Sequence, residues 1–335
     1  MISHIIGKEI LINKILITGA CGYLGARLSK YLAENGFSIT AFDSFDPSSY
    51  TQWTSLMEEV IVGDIRDENL IADLAKKQFD VVIHLISLDH RKSDNNPNFV
   101  NSINVMPTWN LLENFSKSGL NKFIYFSTFQ VYGKVPSKDI TEDFNPTPQN
   151  TYGLTHLLSE NICNYFNDKF EINCINVRLS NSYGSPIFKE NNCWWLVIND
   201  LCKTAYEENK IKLLSDGSPQ RDFIHISDVC NGIEIIINTD KKDLQNNTYH
   251  ISSGKTLTIL ELAHAVKSVY QEYFHQDIQV ILPYKKKVSD NPDTFSETER
   301  YIVNNSKLKS LGFTPETNLK SGINEIFDYM KNTHE

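Results

Sequence analysis

The stretch TGACGYLG, at residues 18–25, most constrains how this chain can fold. It stands directly between the apolar segment KILITG (14–19) and an amphipathic segment. Its three glycines, Gly19, Gly22 and Gly25, allow a tight turn, a close approach of the main chain to a pyrophosphate, and tight helix–strand packing. The N-terminus of the helix that follows favours an anion at the same place. The stretch therefore predicts a strand–turn–helix unit that binds a pyrophosphate.

The same alternation of apolar strands and helix-like segments continues through the first half of the chain. Such alternation is typical of an α/β fold with a doubly wound parallel sheet of the Rossmann type. After the first strand, the sequence predicts strands at 38–43, 58–64, 79–87, 121–128 and 172–180, and helices at 23–35, 98–118 and 152–168.

Beyond residue 182 the pattern becomes irregular, with loop-rich and polar stretches between predicted helices. We expect residues 1–182 to form the dinucleotide-binding domain, and the segment 222–252 to return to it. Residues 183–335 then form mainly a smaller C-terminal substrate-binding lobe over the carboxyl edge of the sheet. The helices of this half are predicted near 194–208, 227–238, 258–274 and 319–331.

An acidic residue, Asp43, ends the second predicted strand, 18 positions after Gly25. A carboxylate at this place accepts hydrogen bonds from the adenosine ribose hydroxyls and repels a 2′-phosphate, so the predicted cofactor is NAD and not NADP. Asp64 and Ile65, after the third strand, are weaker candidates to flank the adenine.

Composition excludes several classes of protein. A net charge of −9, with 41% hydrophobic and 22% charged residues, argues against a nucleic-acid partner. No stretch approaches the ~18–20 apolar residues that cross a bilayer, and we recognise no signal peptide. The six cysteines are scattered without metal-type spacing. We therefore expect a cytoplasmic protein with reduced thiols, no metal and no membrane partner.

Several segments together resemble the extended branch of the short-chain dehydrogenase/reductase family, the NAD-dependent nucleotide-sugar epimerases, dehydratases and reductases of the UDP-glucose 4-epimerase type. They occur in the family's order from about residue 14 to 315, so the resemblance covers nearly the whole chain. The segments are the G-x-x-G-x-x-G turn, FSTFQVYG (126–133), PTPQNTY (146–152), RLSNSYGSP (178–186), GSPQRDFIHISDV (217–229) and SKLKSLGFTP (306–315).

This resemblance implies roles for individual residues. Tyr152 exchanges a proton with the sugar oxygen that undergoes oxidation or reduction, Thr128 hydrogen-bonds the same oxygen, and Asn181 and Arg221 contact the nucleotide-diphosphate sugar. It also implies a homodimer built on the 98–118 and 152–168 helices. The cofactor-binding positions that it implies are Gly19, Cys21, Gly22, Tyr23, Leu24, Gly25, Asp43, Asp64, Ile65, Leu85, Asn104, Tyr152 and His156.

The chain departs from the family at His156, in YGLTH (152–156), where members carry a lysine. A fixed positive charge ~5 Å from the tyrosine interacts by roughly 3 kcal/mol at an effective dielectric of ~20, which lowers the tyrosine pKa by about 2. A histidine supplies such a charge only when it is protonated. Three possibilities stay open: His156 replaces the lysine and contacts ribose, the site works without it, or the protein is a non-catalytic NAD-binding regulator.

Two further departures concern substrate chemistry. TFQV (128–131) lacks the adjacent Asp-Glu with which 4,6-dehydratases eliminate a hydroxyl, which argues against a dehydratase. The family's second diphosphate arginine is also missing, and Lys285 to Lys287 or Arg300 are candidates to replace it. His90 and Arg91 are candidates to reach the substrate, although a solvated loop is favoured for them. Trp194 and Trp195 are candidates to stack on a base or a sugar, although an anchor for a lobe helix is favoured. His84 and His225 are read as structural.

The predicted function is hydride transfer at a sugar carbon, with C4 favoured, in an NAD-dependent nucleotide-sugar epimerase or oxidoreductase with Tyr152 as acid and base. A reductase of a nucleotide-diphosphate 4-keto-sugar, or a dehydrogenase of the same family, is the alternative. A phenol that keeps its proton is a suitable acid for reducing a ketone, so the departure at His156 tilts the prediction toward the reducing direction.

Overall fold

The apolar segments of the first half form adjacent strands of one sheet. The structure is a computed structural model that describes residues 14–93, 96–136, 138–170, 172–244, 247–283 and 300–334. Its strands are β1 (Lys14–Thr18), β2 (Ser38–Asp43), β3 (Glu59–Val62), β4 (Val81–His84), β5 (Lys122–Thr128), β6 (Asp139–Ile140), β7 (Asn173–Leu179), β8 (Asn181–Tyr183), β9 (Lys210–Lys212), β10 (Gln220–His225), β11 (Thr248–Ile251), β12 (Thr256–Thr258), β13 (Gln279–Ile281) and β14 (Ile302–Val303).

The central sheet has seven parallel strands in the order β11-β7-β5-β4-β1-β2-β3. The strand order reverses between β1 and β4, and in such sheets ligands bind outside the carboxyl ends of the strands at this switch point. The predicted doubly wound α/β fold is confirmed. The glycine-rich turn follows β1, directly at the switch point.

Helices cover both faces of this sheet. The side chains of β1 alternate between the two faces, because Ile15 and Ile17 belong to one hydrophobic core and Leu16 to the other. The helices are α1 (Tyr23–Glu34), α2 (Thr51–Thr54), α3 (Glu68–Ala75), α4 (Pro97–Asn104), α5 (Met106–Phe115), α6 (Thr151–Phe170), α7 (Val197–Glu208), α8 (Ile226–Asn238), α9 (Ile259–Phe274), α10 (Ser306–Ser310) and α11 (Leu319–His334).

The single helix predicted over 98–118 is wrong, because the structure has two helices there. α4 ends at Asn104 and α5 begins at Met106, with Val105 between them. Pro107 has no N–H to donate to the carbonyl four residues earlier, and its ring clashes with that carbonyl, so the helix breaks just before it. The break leaves Asn104 at the end of α4, beside the loop that follows β4.

The second half builds a smaller lobe with its own hydrophobic core. Helices α7, α9 and α11 pack against one another around side chains such as Leu201, Val266 and Phe327. A separate three-stranded sheet has the order β12-β10-β8. Within the described residues no helix is long and apolar enough to cross a membrane, and no cluster of three metal-binding side chains occurs.

Candidate active site

The glycine-rich turn leaves the start of α1 open. Gly19 has a φ of +79°, which glycine adopts without strain, and a Cβ on Gly25 would run into the carbonyl oxygen of Gly19. Gly22 caps α1 without any side-chain hydrogen bond. The first N–H groups of the helix are therefore available to an anion, as the sequence predicts for a pyrophosphate.

Asp43 lies beside this turn at the end of β2. Its Oδ2 accepts a hydrogen bond from the Cys21 N–H at 2.9 Å, and its Oδ1 accepts one from the Phe45 N–H at 3.1 Å. Each carboxylate oxygen has about two lone pairs, so both can still accept from a ligand hydroxyl. Burial raises the pKa of the Cys21 thiol, with the nearby Asp43 charge adding to the effect, so this side chain stays a thiol.

The remaining candidates around the turn are placed as follows. Asp64 is exposed and paired with Arg66, whose hydrogen bond lowers the pKa of this carboxyl to about 2. Ile65 is buried, and Leu85, just after β4, donates its N–H to the Thr18 carbonyl at 3.0 Å. The hydroxyl of Tyr23 donates to the Gly184 carbonyl at 2.9 Å, so it joins α1 to the lobe.

Tyr152 and Thr128 are brought together at the carboxyl edge of the sheet. Thr128 is the last residue of β5 and Tyr152 lies in the first turn of α6. Burial raises the pKa of Tyr152 to about 12, although a hydrogen bond with the Thr128 side chain lowers it in part. The phenol therefore keeps its proton at neutral pH, and a hydroxyl group lies next to it. This is the pair that the sequence predicts for proton exchange.

His156 packs against Tyr152 but makes its hydrogen bond elsewhere. The two rings meet edge to face with centroids 4.5 Å apart, and His156 Nδ1 lies 2.9 Å from the Tyr125 hydroxyl. The imidazole is 2% exposed, and burial lowers its pKa to about 4. It is therefore neutral at pH 7 and brings no positive charge to Tyr152.

Asn104 is fully buried and connects three segments of the site. Its Oδ1 accepts from the Leu88 N–H at 2.8 Å, and its Nδ2 donates to Thr155 Oγ1 at 3.0 Å. Its main-chain carbonyl accepts a hydrogen bond from the Ser159 hydroxyl at 2.9 Å. Asn104 thus ties the loop after β4 to the helix that carries the catalytic candidates.

The loop after β4 and the lobe meet over Tyr152. The His90 ring lies 6.4 Å from the Tyr152 ring and 5.1 Å from that of Trp195, edge to face in both cases. The Arg91 guanidinium stacks 4.3 Å from the Trp195 ring centroid. The sequence favours a solvated loop for His90 and Arg91, and both are exposed in a loop; their side chains also pack against an aromatic side chain of the lobe.

The neighbouring tryptophan differs from Trp195. Trp194 is partly buried against the lobe core, with its ring 5.9 Å from that of Tyr329. The anchoring role that the sequence favours for both tryptophans therefore fits Trp194 alone. Trp195 instead donates its Nε1–H to the Asn192 carbonyl at 2.7 Å and faces the loop after β4.

The two candidate substrate residues lie at neighbouring strands, β8 and β10. Asn181 donates to the Asp222 carbonyl at 2.9 Å. Arg221 is exposed, and in the described part of the chain it forms no ion pair with Asp222 or Asp228. The Asp222 carboxylate instead accepts hydrogen bonds from Ser180, Ser253 and Lys255. The Asp228 carboxylate accepts hydrogen bonds from the main-chain N–H groups of Glu316 and Thr317.

The candidate replacements for the second diphosphate arginine are not equivalent. Arg300 donates to Glu261 Oε1 at 2.6 Å and to the Thr256 carbonyl at 3.1 Å, so both ends of its guanidinium have partners. Lys285 to Lys287 lie outside the described residues.

One partly buried cluster at the lobe junction is not foreseen from the sequence. The Arg27 guanidinium on α1 donates to Ser185 Oγ at 2.8 Å and to Glu325 Oε1 at 2.5 Å. The other carboxylate oxygen of Glu325 lies 3.0 Å from His225 Nε2, and His225 Nδ1 caps α8. His225 therefore has a structural place, as its sequence context predicts. No local pattern signals this cluster, because its members are up to 298 residues apart.

Known proteins resemble this chain along nearly its whole length. The family model described as the NAD dependent epimerase/dehydratase family matches residues 15–252. The UDP-glucose 4-epimerase of Mycolicibacterium smegmatis is 23% identical over 330 residues, covering 95% of this chain and 99% of its own. The dTDP-D-glucose 4,6-dehydratase of Dictyostelium discoideum is 25% identical over 372 residues, covering 97% and 83%.

Solved structures give the same result for the fold. The UDP-glucuronic acid 4-epimerase from Bacillus cereus, in complex with UDP-glucuronic acid and NAD, superposes with a TM-score of 0.75 at 25% sequence identity. The alignment covers 96% of this chain and 99% of the other. Both the sheet and the lobe therefore have counterparts in a nucleotide-sugar enzyme.

Proposed function

This chain belongs to the NAD dependent epimerase/dehydratase family, and from this premise we propose that it transfers a hydride between NAD and C4 of a nucleotide-diphosphate sugar. The observation that carries the proposal is the contact between Thr128 and Tyr152 at the carboxyl edge of the sheet. It supplies a protonated phenol and a second hydroxyl beside the switch point, where ligands of such sheets bind.

The residues present fit NAD. The glycine turn leaves room that a Cβ on Gly25 would fill, and α1 begins without a side-chain cap, which suits a pyrophosphate. Asp43 has lone pairs left for the adenosine ribose hydroxyls. His156 Nε2 is buried without a hydrogen-bond partner in the described residues, as expected for an atom that meets a ligand.

In the proposed reaction, bound NAD accepts and returns the hydride. Tyr152 exchanges the proton of the sugar hydroxyl at its phenolic oxygen, and Thr128 hydrogen-bonds the same sugar oxygen. Return of the hydride to the opposite face of the sugar makes the protein an epimerase. Asn181 and Arg221 hold the nucleotide-diphosphate portion in this proposal, and the exposed guanidinium of Arg221 suits a diphosphate.

A 4-keto-sugar reductase is the second candidate, and the Tyr152 pKa of about 12 favours it. A phenol that stays protonated delivers a proton to a ketone oxygen readily but removes one from a hydroxyl poorly. Elimination is disfavoured, since the two residues that follow Thr128 are neither acid nor base: Phe129 packs on Tyr301, and Gln130 accepts a hydrogen bond from Asn150. The retained Thr128–Tyr152 pair argues against a non-catalytic regulator.

The proposal includes a sugar-binding wall formed by His90, Arg91 and Trp195. His90 and Arg91 come from the loop after β4 and Trp195 from the lobe; both loop side chains contact Trp195, and His90 also packs on Tyr152. An indole packs well on the apolar face of a sugar ring, and the imidazole and guanidinium can hydrogen-bond its substituents. In this proposal the wall contacts the part of the sugar that reacts.

The proposal also includes the division of the chain into two units and a cytoplasmic homodimer. The segment 222–252 carries α8 and β11 into the NAD-binding unit, 1–182, and 183–335 supplies most of the lobe. All six cysteines are buried free thiols.

A row of exposed apolar side chains supports the dimer, and its members are Phe99, Met106, Trp109, Leu154, Leu158, Tyr165 and Phe170 on α4, α5 and α6.

The test is to identify the nucleotide released on denaturation and then to incubate the protein with a panel of nucleotide sugars. A 4-epimer has the mass of its substrate, so products are followed by proton NMR of the anomeric signals. A reductase with added NADH gives a product heavier by two hydrogens, which mass spectrometry detects. If NAD does not bind and no sugar of the panel is converted, the proposed function is wrong.

A further inference from the structure

A segment of the lobe, residues 184–191, reaches the NAD-binding unit beside the glycine-rich turn. The Gly184 carbonyl accepts a hydrogen bond from the Tyr23 hydroxyl and the Ser185 carbonyl accepts one from Arg27, at 2.9 Å in both cases. Tyr23 and Arg27 lie in the first two turns of α1. The segment therefore runs along the helix whose N-terminus is predicted to hold the pyrophosphate.

Phe188 anchors this segment. Its side chain is fully buried, and the centroid of its ring lies 4.4 Å from that of Tyr50, 5.2 Å from that of Trp53 and 5.8 Å from that of Phe45. These three aromatic residues belong to the stretch that follows β2. Because β2 ends in Asp43, the lobe segment packs on the chain that leaves the predicted ribose-binding carboxylate.

The two residues after Phe188 continue this contact. The Lys189 N–H donates to the Tyr50 hydroxyl at 3.2 Å, and the Tyr50 hydroxyl donates to the Glu190 carboxylate. A hydroxyl has one hydrogen and also accepts, so both hydrogen bonds form together. The segment is thus held in place immediately before Asn191.

Asn191 contacts the glycine-rich turn itself. Its Nδ2 donates to the main-chain carbonyl of Cys21 at 2.9 Å, and the N–H of Cys21 donates to Asp43 at 2.9 Å. The N–H and the carbonyl of one residue are close neighbours along the chain, so Asn191 and Asp43 hold adjacent groups. The lobe therefore brings an amide close to the carboxylate that is predicted to bind the adenosine ribose.

The amide of Asn191 has one group left to bind. A carbonyl only accepts, so the amide nitrogen is the atom that faces Cys21, and Oδ1 is the atom that does not. Oδ1 is buried, and within the described residues no group donates a hydrogen bond to it. A buried acceptor without a donor costs about 1–3 kcal/mol, so an atom of this kind is expected to meet a donor from outside the chain.

We propose that Asn191 is a cofactor-binding residue supplied by the lobe, and that its Oδ1 accepts a hydrogen bond from the adenosine half of NAD. The inference rests on the proposed function only in taking NAD as the cofactor. The adenosine half has two kinds of donor, the ribose hydroxyls and the adenine amino group. The pyrophosphate has only acceptors, which an amide oxygen does not bind. NAD is then held from both units of the chain.

The test is calorimetry of nucleotide binding to protein stripped of nucleotide. Asn191→Ala should bind NAD about fivefold more weakly than the original protein, the effect of one hydrogen bond. ADP-ribose, which keeps the adenosine half and lacks the nicotinamide, should lose the same factor. The matched control is Asn192→Ala, at the exposed next position, which should bind both ligands as the original protein does. Unchanged affinities in Asn191→Ala would overturn the proposal.

Analogues of NAD separate a direct contact from an effect that acts through Cys21. Asn191→Ala also removes the hydrogen bond to the Cys21 carbonyl, and that loss would weaken all dinucleotides equally. A direct contact depends on one donor of the ligand. The difference between the original protein and Asn191→Ala should therefore disappear with nicotinamide hypoxanthine dinucleotide if the adenine amino group is the donor. It should disappear with the 2′-deoxy or 3′-deoxy adenosine analogue if a ribose hydroxyl is the donor. A difference that persists with all of these analogues would overturn the contact.

The hydrogen bonds that hold the segment give a second readout. Tyr50→Phe removes the hydroxyl shared by Lys189 and Glu190, and the looser segment should weaken NAD binding about twofold. The matched control is Tyr273→Phe, which removes a hydroxyl that donates to the Asp328 carboxylate in the lobe and should leave NAD affinity unchanged. Equal NAD affinities for the two variants would contradict the placement of Asn191 by this segment.

These outcomes separate the inference from the proposed function. If NAD binds and nucleotide sugars are converted but Asn191→Ala binds NAD as the original protein does, only the inference fails. If Asn191→Ala weakens NAD binding as expected but no nucleotide sugar is converted, the proposed reaction fails and the inference stands.

Discussion

Glu325, on the last helix, and Arg27, on the first, form an ion pair with the carboxylate Oε1 2.5 Å from the guanidinium. Burial alone would raise the pKa of Glu325, but the hydrogen bond from His225 and the charge of Arg27 outweigh it and hold this pKa well below its usual range. The pair therefore joins the lobe to the NAD-binding unit through a carboxylate that is ionised at any ordinary pH.

Replacement of Glu325 by glutamine should lower the free energy of unfolding by about 2 kcal/mol at pH 7, since it removes charge-assisted hydrogen bonds. A carboxyl with a lowered pKa stabilises the fold above its unfolded pKa of about 4.3, and loses this effect only as the pH falls through the folded value. The deficit should therefore persist to pH 5. Denaturant titrations measure it, with the exposed Glu34→Gln as a control expected to change less than about 0.5 kcal/mol.

Lys122 should be needed for stability although its side chain is charged and buried. Its Nζ donates to the carbonyls of Ile236, Ile237 and Thr239, at 2.6, 2.8 and 2.8 Å, where α8 ends. Lys122→Met leaves these carbonyls without a donor and should cost about 2 kcal/mol. Lys117→Met, at an exposed position, is the control, and equal losses for both variants would contradict the capping role.

The contribution of Lys122 to the stability of the fold should depend on pH. Burial lowers the pKa of Lys122 to about 8, with the charge of Asp240 opposing this in part. Between pH 8 and about 10 the unfolded chain then binds more protons than the folded one, so folding becomes more favourable as the pH rises. The stability of the original protein relative to Lys122→Met should increase across this interval in urea titrations. A flat difference would show that the lysine keeps its ordinary pKa.

The adjacent tryptophans should have different functions. Trp195→Ala removes part of the proposed sugar-binding wall and should raise the KM for the nucleotide sugar at least about fivefold, the effect of losing ~1 kcal/mol of packing. Trp194→Ala removes the contact with Tyr329 and should lower the unfolding midpoint with KM unchanged. Steady-state kinetics and thermal unfolding of both variants measure these effects. A larger increase in KM for Trp194→Ala than for Trp195→Ala would refute the sugar-binding wall.

A charge on the exposed apolar row should break the proposed dimer. Leu158 on α6 is 41% exposed and lies within that row, whereas Leu214 in the lobe is 95% exposed and lies away from it. Leu158→Arg should give monomers in sedimentation experiments, because a buried unpaired charge is costly at an interface. Leu214→Arg should leave the dimer intact. A monomeric original protein would contradict the proposal at once.

The sequence predicts the central sheet well, because its signals are local. The strand at 14–18, the glycine turn and the helix from Tyr23 follow from apolar runs and spacing within a few residues. The apolar spacing continues across the break between α4 and α5, so the sequence predicts one helix there although Pro107 marks the break. The strand predicted at 38–43 keeps its bounds, and the ends of the other predicted strands move by at most three residues.

The contacts that decide the chemistry are harder to predict from the sequence. His156 stands out as a departure from the family, but its partner Tyr125 is 31 residues away on a strand that reads only as apolar core. His90 and Trp195 meet because the lobe folds back over the sheet, and no periodic pattern reports this. Long-range pairs depend on packing geometry, whereas residue type fixes only what each partner can donate or accept.

The most direct test of the central claim is the absorbance of the reduced nicotinamide when NAD-loaded protein is mixed with single nucleotide sugars. We expect at least one sugar to change this absorbance within one turnover. Tyr152→Phe, which keeps the ring contact with His156 but loses the exchangeable proton, should slow the change by about 10²–10⁴-fold while NAD binding is retained. An unchanged rate in Tyr152→Phe would contradict the account.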